Sequence, residues 1–160
     1  MGKYKLLEEV NNIMDNKLAL RKIDRTIKSG DVAYIKLKEV SNLLNSARRW
    51  GLLDIVKGKY LTTFIKRSKL KKAERVSIDA EKALKEFSYN LTELSEFMDI
   101  KIDISTSYVF LDYFLDNPIV DILVQGQINN NRKKIDAALR DVQKDIDRLK
   151  KEKIKIMKYL

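Results

Sequence analysis

The sequence predicts a mainly α-helical protein that forms an elongated antiparallel bundle with coiled-coil-like seams. The prediction depends on three observations: one proline in 160 residues, 35% charged residues, and apolar residues that recur at intervals of three and four. Long helices avoid proline, and this spacing places apolar side chains along one helix face. A chain of this length is expected to form a single domain, residues 1–160.

The first element is predicted to be a helix over residues 3–28 that ends in a turn at Ser29, Gly30 and Asp31. Gly30 can adopt the left-handed conformation that ends many helices, and Asp31 can cap the next one. Because this turn is short, a second helix is expected to return antiparallel to the first. The two apolar seams consist of Leu6, Val10, Ile13, Leu20, Ile23 and Ile27, interrupted by Lys17, and of Ala33, Leu37, Val40, Leu44 and Ala47.

Ser68 is predicted to cap the next helix, which would carry a long apolar seam with Ser77 as its polar member. That seam consists of Leu70, Ala73, Ser77, Ala80, Leu84, Phe87, Leu91, Leu94 and Met98.

Residues 99–117 contain a period-two pattern, in which Ile100, Ile102 and Ile104 alternate with polar residues. This pattern predicts a short strand. The strand could pair with residues 108–114 in a small β-hairpin near 100–114, although the apolar run there also fits a buried helical turn.

The last helix is predicted to begin at Asn117 and Pro118 and to reach the C-terminus, with a kink or break at residues 129–131. Its seam consists of Ile128, Ile135, Leu139, Val142, Ile146, Leu149, Ile156 and Leu160, interrupted by Arg132 and Lys153. We expect it to pack antiparallel to the 70–98 helix, which would bring Ala73 near Ile146 or Leu149.

The composition excludes several kinds of chemistry. The chain has no cysteine and no histidine, so disulfides, thiolate or histidine metal sites and Ser-His-Asp catalysis cannot operate. The absence of cysteine fits a reducing compartment, and we expect a cytoplasmic location. No apolar run approaches the roughly 20 residues of a membrane span, and we expect neither a signal peptide nor a cofactor.

Positive charge is concentrated in two segments of a chain whose net charge is +10. Residues 57–75 carry a net charge of +7 and residues 148–158 a net charge of +5. Such localised charge attracts phosphate polymers, and antiparallel packing would join the two segments in one basic pole. A solvated lysine-rich surface is the simpler interpretation. The candidate anion-binding residues are Lys57, Lys59, Lys66, Arg67, Lys69, Lys71, Lys72, Arg148, Lys151 and Lys155.

Three carboxylates form a candidate catalytic or Mg²⁺ site. Asp112, Asp116 and Asp121 are spaced so that they could converge if the local structure is helical. Asp116 is more simply a helix cap, and Asp121 a first-turn acid that the helix dipole favours.

Two motifs together resemble a family of uncharacterised bacterial helical proteins. The first motif has tryptophan-glycine, an aspartate, a glycine and a basic-serine ending, and it consists here of Trp50, Gly51, Asp54, Gly58, Lys66, Arg67 and Ser68. The second consists of Asp112, Tyr113, Phe114, Asp116, Asp121 and Gln125. The resemblance implies a helical architecture and brings no known activity. Lys57 and Lys59 stand where the family has further glycines. The aromatic side chains, above all Trp50, are expected to be buried.

These features predict a non-enzymatic intracellular interaction or scaffold protein that binds an unknown protein partner or itself. Weak nucleic-acid or other polyanion binding through segments 57–75 and 148–158 is the first alternative. A carboxylate-based enzyme or Mg²⁺ site at residues 112–121 is the second.

Overall fold

The computed structural model describes the backbone of residues 2–49, 63–98, 128–158 and 160, and most of their side chains. These residues form three long helices: α1 is Gly2–Arg49, α2 is Thr63–Met98 and α3 is Ile128–Met157. The prediction of a mainly α-helical bundle is confirmed. The predicted hairpin near 100–114, the aromatic residue Trp50 and the start of the last helix at Pro118 lie outside the described residues.

Helix α1 is continuous through residues 29–31, so the predicted turn there is wrong. Ser29 and Gly30 are buried in the middle of a 48-residue helix. An ideal Cβ on Gly30 would lie 2.8 Å from Cε2 of Phe87 and 2.9 Å from Cγ1 of Ile146. Gly30 therefore permits close contact with both other helices, which is a different use of glycine from ending a helix.

The buried face of α1 has an unbroken spacing of four and three residues. It begins at Ala19 and ends at Leu44, and Thr26 and Gly30 occupy its centre. Such a spacing keeps one stripe of a helix against its neighbours. Its members are Ala19, Ile23, Thr26, Gly30, Ala33, Leu37, Val40 and Leu44.

The predicted seam of α2 is confirmed wherever its side chains are described. The members from Ala73 to Leu94 are buried, Ser77 among them, and Met98 is half-buried. The predicted cap is wrong, because α2 begins at Thr63 and continues through Ser68. Phe87 is completely buried and contacts α1 at the position where Gly30 lacks a side chain.

Helix α3 runs without a break through residues 129–131, so the break expected there is absent. Asn131 is buried. The seam residues Ile135, Leu139, Val142, Ile146 and Leu149 are buried, Ile156 is half-buried and Leu160 is exposed. Lys153 interrupts this seam, and its Nζ lies 2.6 Å from Oδ1 of Asp24 on α1. The ammonium group of Lys153 therefore lies beside a carboxylate at the surface and not within the apolar seam.

Both α2 and α3 run antiparallel to α1. On α2, Glu93 contacts Lys22 and Asp79 contacts Lys36, so residue numbers rise on one helix as they fall on the other. On α3, Lys153 contacts Asp24 and Asp136 lies 3.5 Å from Ser41, which gives the same relation.

Helices α2 and α3 are consequently parallel to each other, so the antiparallel packing expected between them is wrong. Phe87 and Ile146 lie at the same level because both contact Gly30. Ala73 is fourteen residues before Phe87 in α2 and lies about 21 Å along the bundle from that level. It is therefore far from Ile146 and Leu149, and the described parts of the two basic segments do not meet in one pole.

A small polar layer lies beside Gly30 between α1 and α2. Asn90 Nδ2 donates to Oγ of Ser29 at 3.0 Å, and Ser29 Oγ donates to the carbonyl of Thr26 at 2.9 Å. Thr26 Oγ1 lies 2.8 Å from the carbonyl oxygen of Lys22 and 3.3 Å from that of Asn90. These bonds satisfy buried donors, and they also connect the two helices at a fixed register.

Candidate functional site

The structure describes only some of the residues that the sequence singles out. Asp112, Asp116, Asp121 and Gln125 lie outside the described residues, as do Trp50, Gly51, Asp54, Lys57, Gly58 and Lys59. Lys66, Arg67, Ser68 and Lys69 are on the helical backbone of α2. Neither family-like motif is described as a whole, so the carboxylate site and the burial of Trp50 remain predictions.

The predicted anion-binding residues with described side chains fall into three groups. Lys71 and Lys72 are exposed on the first turns of α2. Lys155 is close to Glu152, with 2.7 Å between Nζ and Oε1, so its charge is offset locally. Arg148 and Lys151 line a groove between α3 and α1.

This groove, which we call the α3 groove, is open to solvent and has a volume of about 650 Å³. Tyr34 of α1 and Leu139 of α3 form its apolar part. The polar wall comes entirely from α3 and includes four cations and one carboxylate. Its members are Arg140, Gln143, Lys144, Asp147, Arg148 and Lys151.

Charges in the α3 groove are unbalanced. Gln143 Nε2 donates to Oδ1 of Asp147 at 3.0 Å, so the carboxylate is engaged by a neutral amide. Within the described part of the chain, Arg140, Lys144 and Lys151 form no ion pair. The groove is therefore a positively charged surface with an aromatic residue at its edge, and it is suited to an anion.

Sequence reasoning missed Arg140 and Lys144. Asp141 and Asp145 stand beside them in the chain, so the local net charge is low and no basic run is visible. The available signal was the spacing: residues 140, 144 and 148 recur every four positions, which places them along one side of a helix.

A second surface is formed by the N-terminal part of α1, which projects beyond the other helices. Glu93 lies beside Lys22, and α2 continues for only five more residues to Met98. Lys153 lies beside Asp24, and α3 ends four residues later at Met157. Residues 2–17 therefore extend about 24 Å past the described ends of both helices.

An exposed apolar stripe runs along this projecting part of α1. Val10 is 46% exposed, Ile13 42%, Met14 63% and Leu18 43%. The buried seam, continued backwards from Ala19 with the same spacing, would instead pass through Asn16, Asn12 and Glu9. Val10 and Ile13 each follow one of these polar residues, a rotation of about 100° around the helix. The stripe is thus a separate surface that the described helices do not cover.

The described residues contain no cluster of three or more carboxylates that could hold a metal ion. None of the three described helices is long and apolar enough to cross a membrane. No protein-family model, curated protein or solved structure matches this chain significantly.

Proposed function

We propose that this protein is a non-enzymatic helical interaction protein that associates with a second copy of itself through the projecting N-terminal part of α1. The observation that carries this proposal is the exposed stripe of Val10, Ile13, Met14 and Leu18. Clustered exposed apolar residues on a helix are typical of sites that pack against another helix.

Helix stability supports a partner at this surface. An isolated helix of about 15 residues is marginal in water, and most helical stability in proteins comes from burial of an apolar face. Residues 2–17 are helical but extend beyond α2 and α3, so those helices cannot supply that burial. Packing of the stripe against another helix would bury its apolar side chains.

The charges around the stripe favour a second copy. Glu9 carries a negative charge and Lys17 a positive charge, and both residues are exposed. In an antiparallel pair centred on Ile13, Glu9 of each copy lies opposite Lys17 of the other. A two-fold axis repeats this pairing, as expected of an isologous interface, and the packing would resemble a coiled coil.

The proposal also covers domain organisation and location. The 160 residues act as one domain, in the cytoplasm, and the resemblance to uncharacterised helical proteins is consistent with an interaction role. Nucleic-acid or other polyanion binding through residues 57–75 and 148–158, and catalysis or Mg²⁺ binding at residues 112–121, remain alternatives; residues 57–62 and 112–121 lie outside the described part of the chain.

Sedimentation equilibrium over a wide range of protein concentrations tests the association. The wild type should form dimers, and Val10→Gln with Ile13→Gln should shift the dissociation constant upward by about tenfold or more. Glutamine keeps helix propensity close to that of the original residues. The matched control is Val32→Gln with Ile35→Gln, at residues that are 43% and 55% exposed on the bundle part of α1; this variant should dimerise like the wild type.

Charge exchange tests the antiparallel arrangement. Glu9→Lys alone should weaken dimerisation, because position 9 of each copy would then place a positive charge opposite Lys17 of the other copy. Glu9→Lys with Lys17→Glu should restore dimerisation. A wild type that stays monomeric at every concentration would refute the self-association. Equal weakening by the stripe variant and the Val32 and Ile35 control would refute the stripe as its site.

A further inference from the structure

We infer that the α3 groove is a binding site for single-stranded nucleic acid, recognised through its phosphate backbone and one stacked base. The groove lies on the bundle part of the molecule, and its residues are different from those of the projecting stripe. This inference therefore stands or fails independently of the proposed self-association.

The arrangement of the cations indicates a linear polyanion. Arg140 and Lys144 are one helical turn apart, about 6 Å along the axis, and Arg140 and Lys151 are about 17 Å apart. One phosphate group is too small to contact cations spread over that length. A strand with regularly repeated phosphates can contact each of them in turn, and it releases condensed counterions when it does so.

The charges at this surface are available to such a ligand. Arg140, Lys144 and Lys151 are exposed and have no ion-pair partner among the described residues. Elsewhere on α3, by contrast, Lys153 pairs with Asp24 and Lys155 with Glu152. Arg140, Lys144 and Lys151 are distinguished from the other unpaired surface cations by lining one groove together with Tyr34.

The aromatic residue favours an unpaired strand over a duplex. Tyr34 is half-buried at the edge of the groove, beside Leu139. A tyrosine ring next to a row of cations can stack on a base while the phosphates contact the charges, which is how proteins commonly hold single strands. In a duplex the bases are stacked on one another and are not available to this ring.

An anionic membrane fits the same charges less well. Helices that bind a membrane surface expose an apolar face that enters the bilayer. The apolar face of α3, from Ile135 to Leu149, is buried against the rest of the bundle, and the cations line a concave surface.

Fluorescence anisotropy with a labelled 15-nucleotide oligodeoxythymidine tests the assignment at low salt. Three triple variants change the net charge by the same amount. The groove variant is Arg140→Glu, Lys144→Glu and Lys151→Glu. The outer-face control is Arg21→Glu, Lys28→Glu and Lys82→Glu, at exposed residues that form no ion pair within the described helices. The third variant, Lys71→Glu, Lys72→Glu and Arg75→Glu, reports on the start of α2.

The groove variant should lose about tenfold or more in affinity, and it should lower the slope of log K against log salt concentration by about 2, as expected for three lost contacts to a single strand. The two other variants should lose much less. Tyr34→Leu should lower the affinity for the oligonucleotide but leave competition by inorganic polyphosphate unchanged. Circular dichroism and thermal unfolding would verify that each variant keeps its fold.

Four results would overturn the inference. They are the absence of binding at low salt, equal losses in all three triple variants, a loss confined to the α2 variant, and binding to phosphatidylserine vesicles without binding to the oligonucleotide. A Tyr34→Leu variant that binds the oligonucleotide like the wild type would refute the stacked base and with it the assignment to a single strand.

Discussion

Gly30 and Phe87 are in such close contact that a methyl group on Gly30 would lie 2.8 Å from the phenyl ring. Phe87 is fully buried, so its ring has little space into which it could move. Gly30 also contacts Ile146 on the third helix. One glycine in the middle of α1 therefore sets how closely α2 and α3 approach it.

We predict that Gly30→Ala destabilises the protein, although alanine favours a helix interior by about 1 kcal/mol over glycine. The cost of overpacking is about 1 to 3 kcal/mol and should exceed that gain. In a Phe87→Leu background the substitution should cost about 1 kcal/mol less, because the shorter side chain leaves space. Urea unfolding of the four proteins measures this coupling; stabilisation of the wild-type background by Gly30→Ala would contradict the contact.

Two buried serines provide a matched pair for a second prediction. Ser29 Oγ accepts a hydrogen bond from Asn90 and donates to Thr26, whereas Ser88 Oγ is buried with no hydrogen-bond partner among the described residues. Ser29→Ala should cost about 1 to 3 kcal/mol because it leaves an Asn90 N–H unsatisfied, and Ser88→Ala should be neutral or stabilising by up to about 1 kcal/mol. Helix propensity changes equally in both variants, so it cancels in the comparison. Equal effects on the unfolding free energy would show that the polar layer is not as described.

The two parts of α1 should differ in stability, and this difference gives a third prediction. Backbone amides of residues 5–16 should exchange with solvent orders of magnitude faster than those of residues 23–44, because the buried seam of α1 begins at Ala19 and ends at Leu44. Hydrogen exchange with mass spectrometry at low protein concentration measures this difference. Under the proposed self-association, protection of residues 5–16 should rise with protein concentration while that of residues 23–44 stays constant.

The seams of α2 and α3 were predictable from sequence because most apolar residues of each helix lie along one face. The seam of α1 was predictable only in its bundle part. Ile23, Ala33, Leu37, Val40 and Leu44 are buried as expected, whereas Val10 and Ile13, which were assigned to the same seam, are exposed on a different face of the helix. The division at Gly30 followed from treating glycine as a helix end. Only the neighbouring helices, Phe87 and Ile146 above all, show that this glycine makes room for contact.

The candidate site was predictable in part for a similar reason. Arg148 and Lys151 belong to a visible run of basic residues, whereas Arg140 and Lys144 are each followed by an aspartate about 100° further around the helix. The net charge of a chain segment sums residues from all faces of the helix, whereas a groove is lined by residues from one face. The relative direction of α2 and α3 could not be derived, because the residues between Met98 and Ile128 are numerous enough to allow either direction.

We predict that distances between spin labels will show α2 and α3 to be parallel. The chain has no native cysteine, so Lys72→Cys, Lys133→Cys and Lys150→Cys can be labelled in pairs without further changes. All three lysines are exposed. By the contacts of Asp79 with Lys36 and of Asp136 with Ser41, residues 72 and 133 lie at nearly the same level of the bundle.

Residue 150 is seventeen positions beyond residue 133 in α3, so it lies about 25 Å further along the axis. Double electron-electron resonance should therefore give a shorter distance for the 72–133 pair than for the 72–150 pair. Antiparallel packing would reverse this order, because the helix would then place residue 150 near the start of α2. Thermal unfolding of the labelled proteins is the control for disturbance by the labels. A shorter 72–150 distance in a folded protein would refute the parallel arrangement, and with it the separation of the described basic residues on α2 from those on α3.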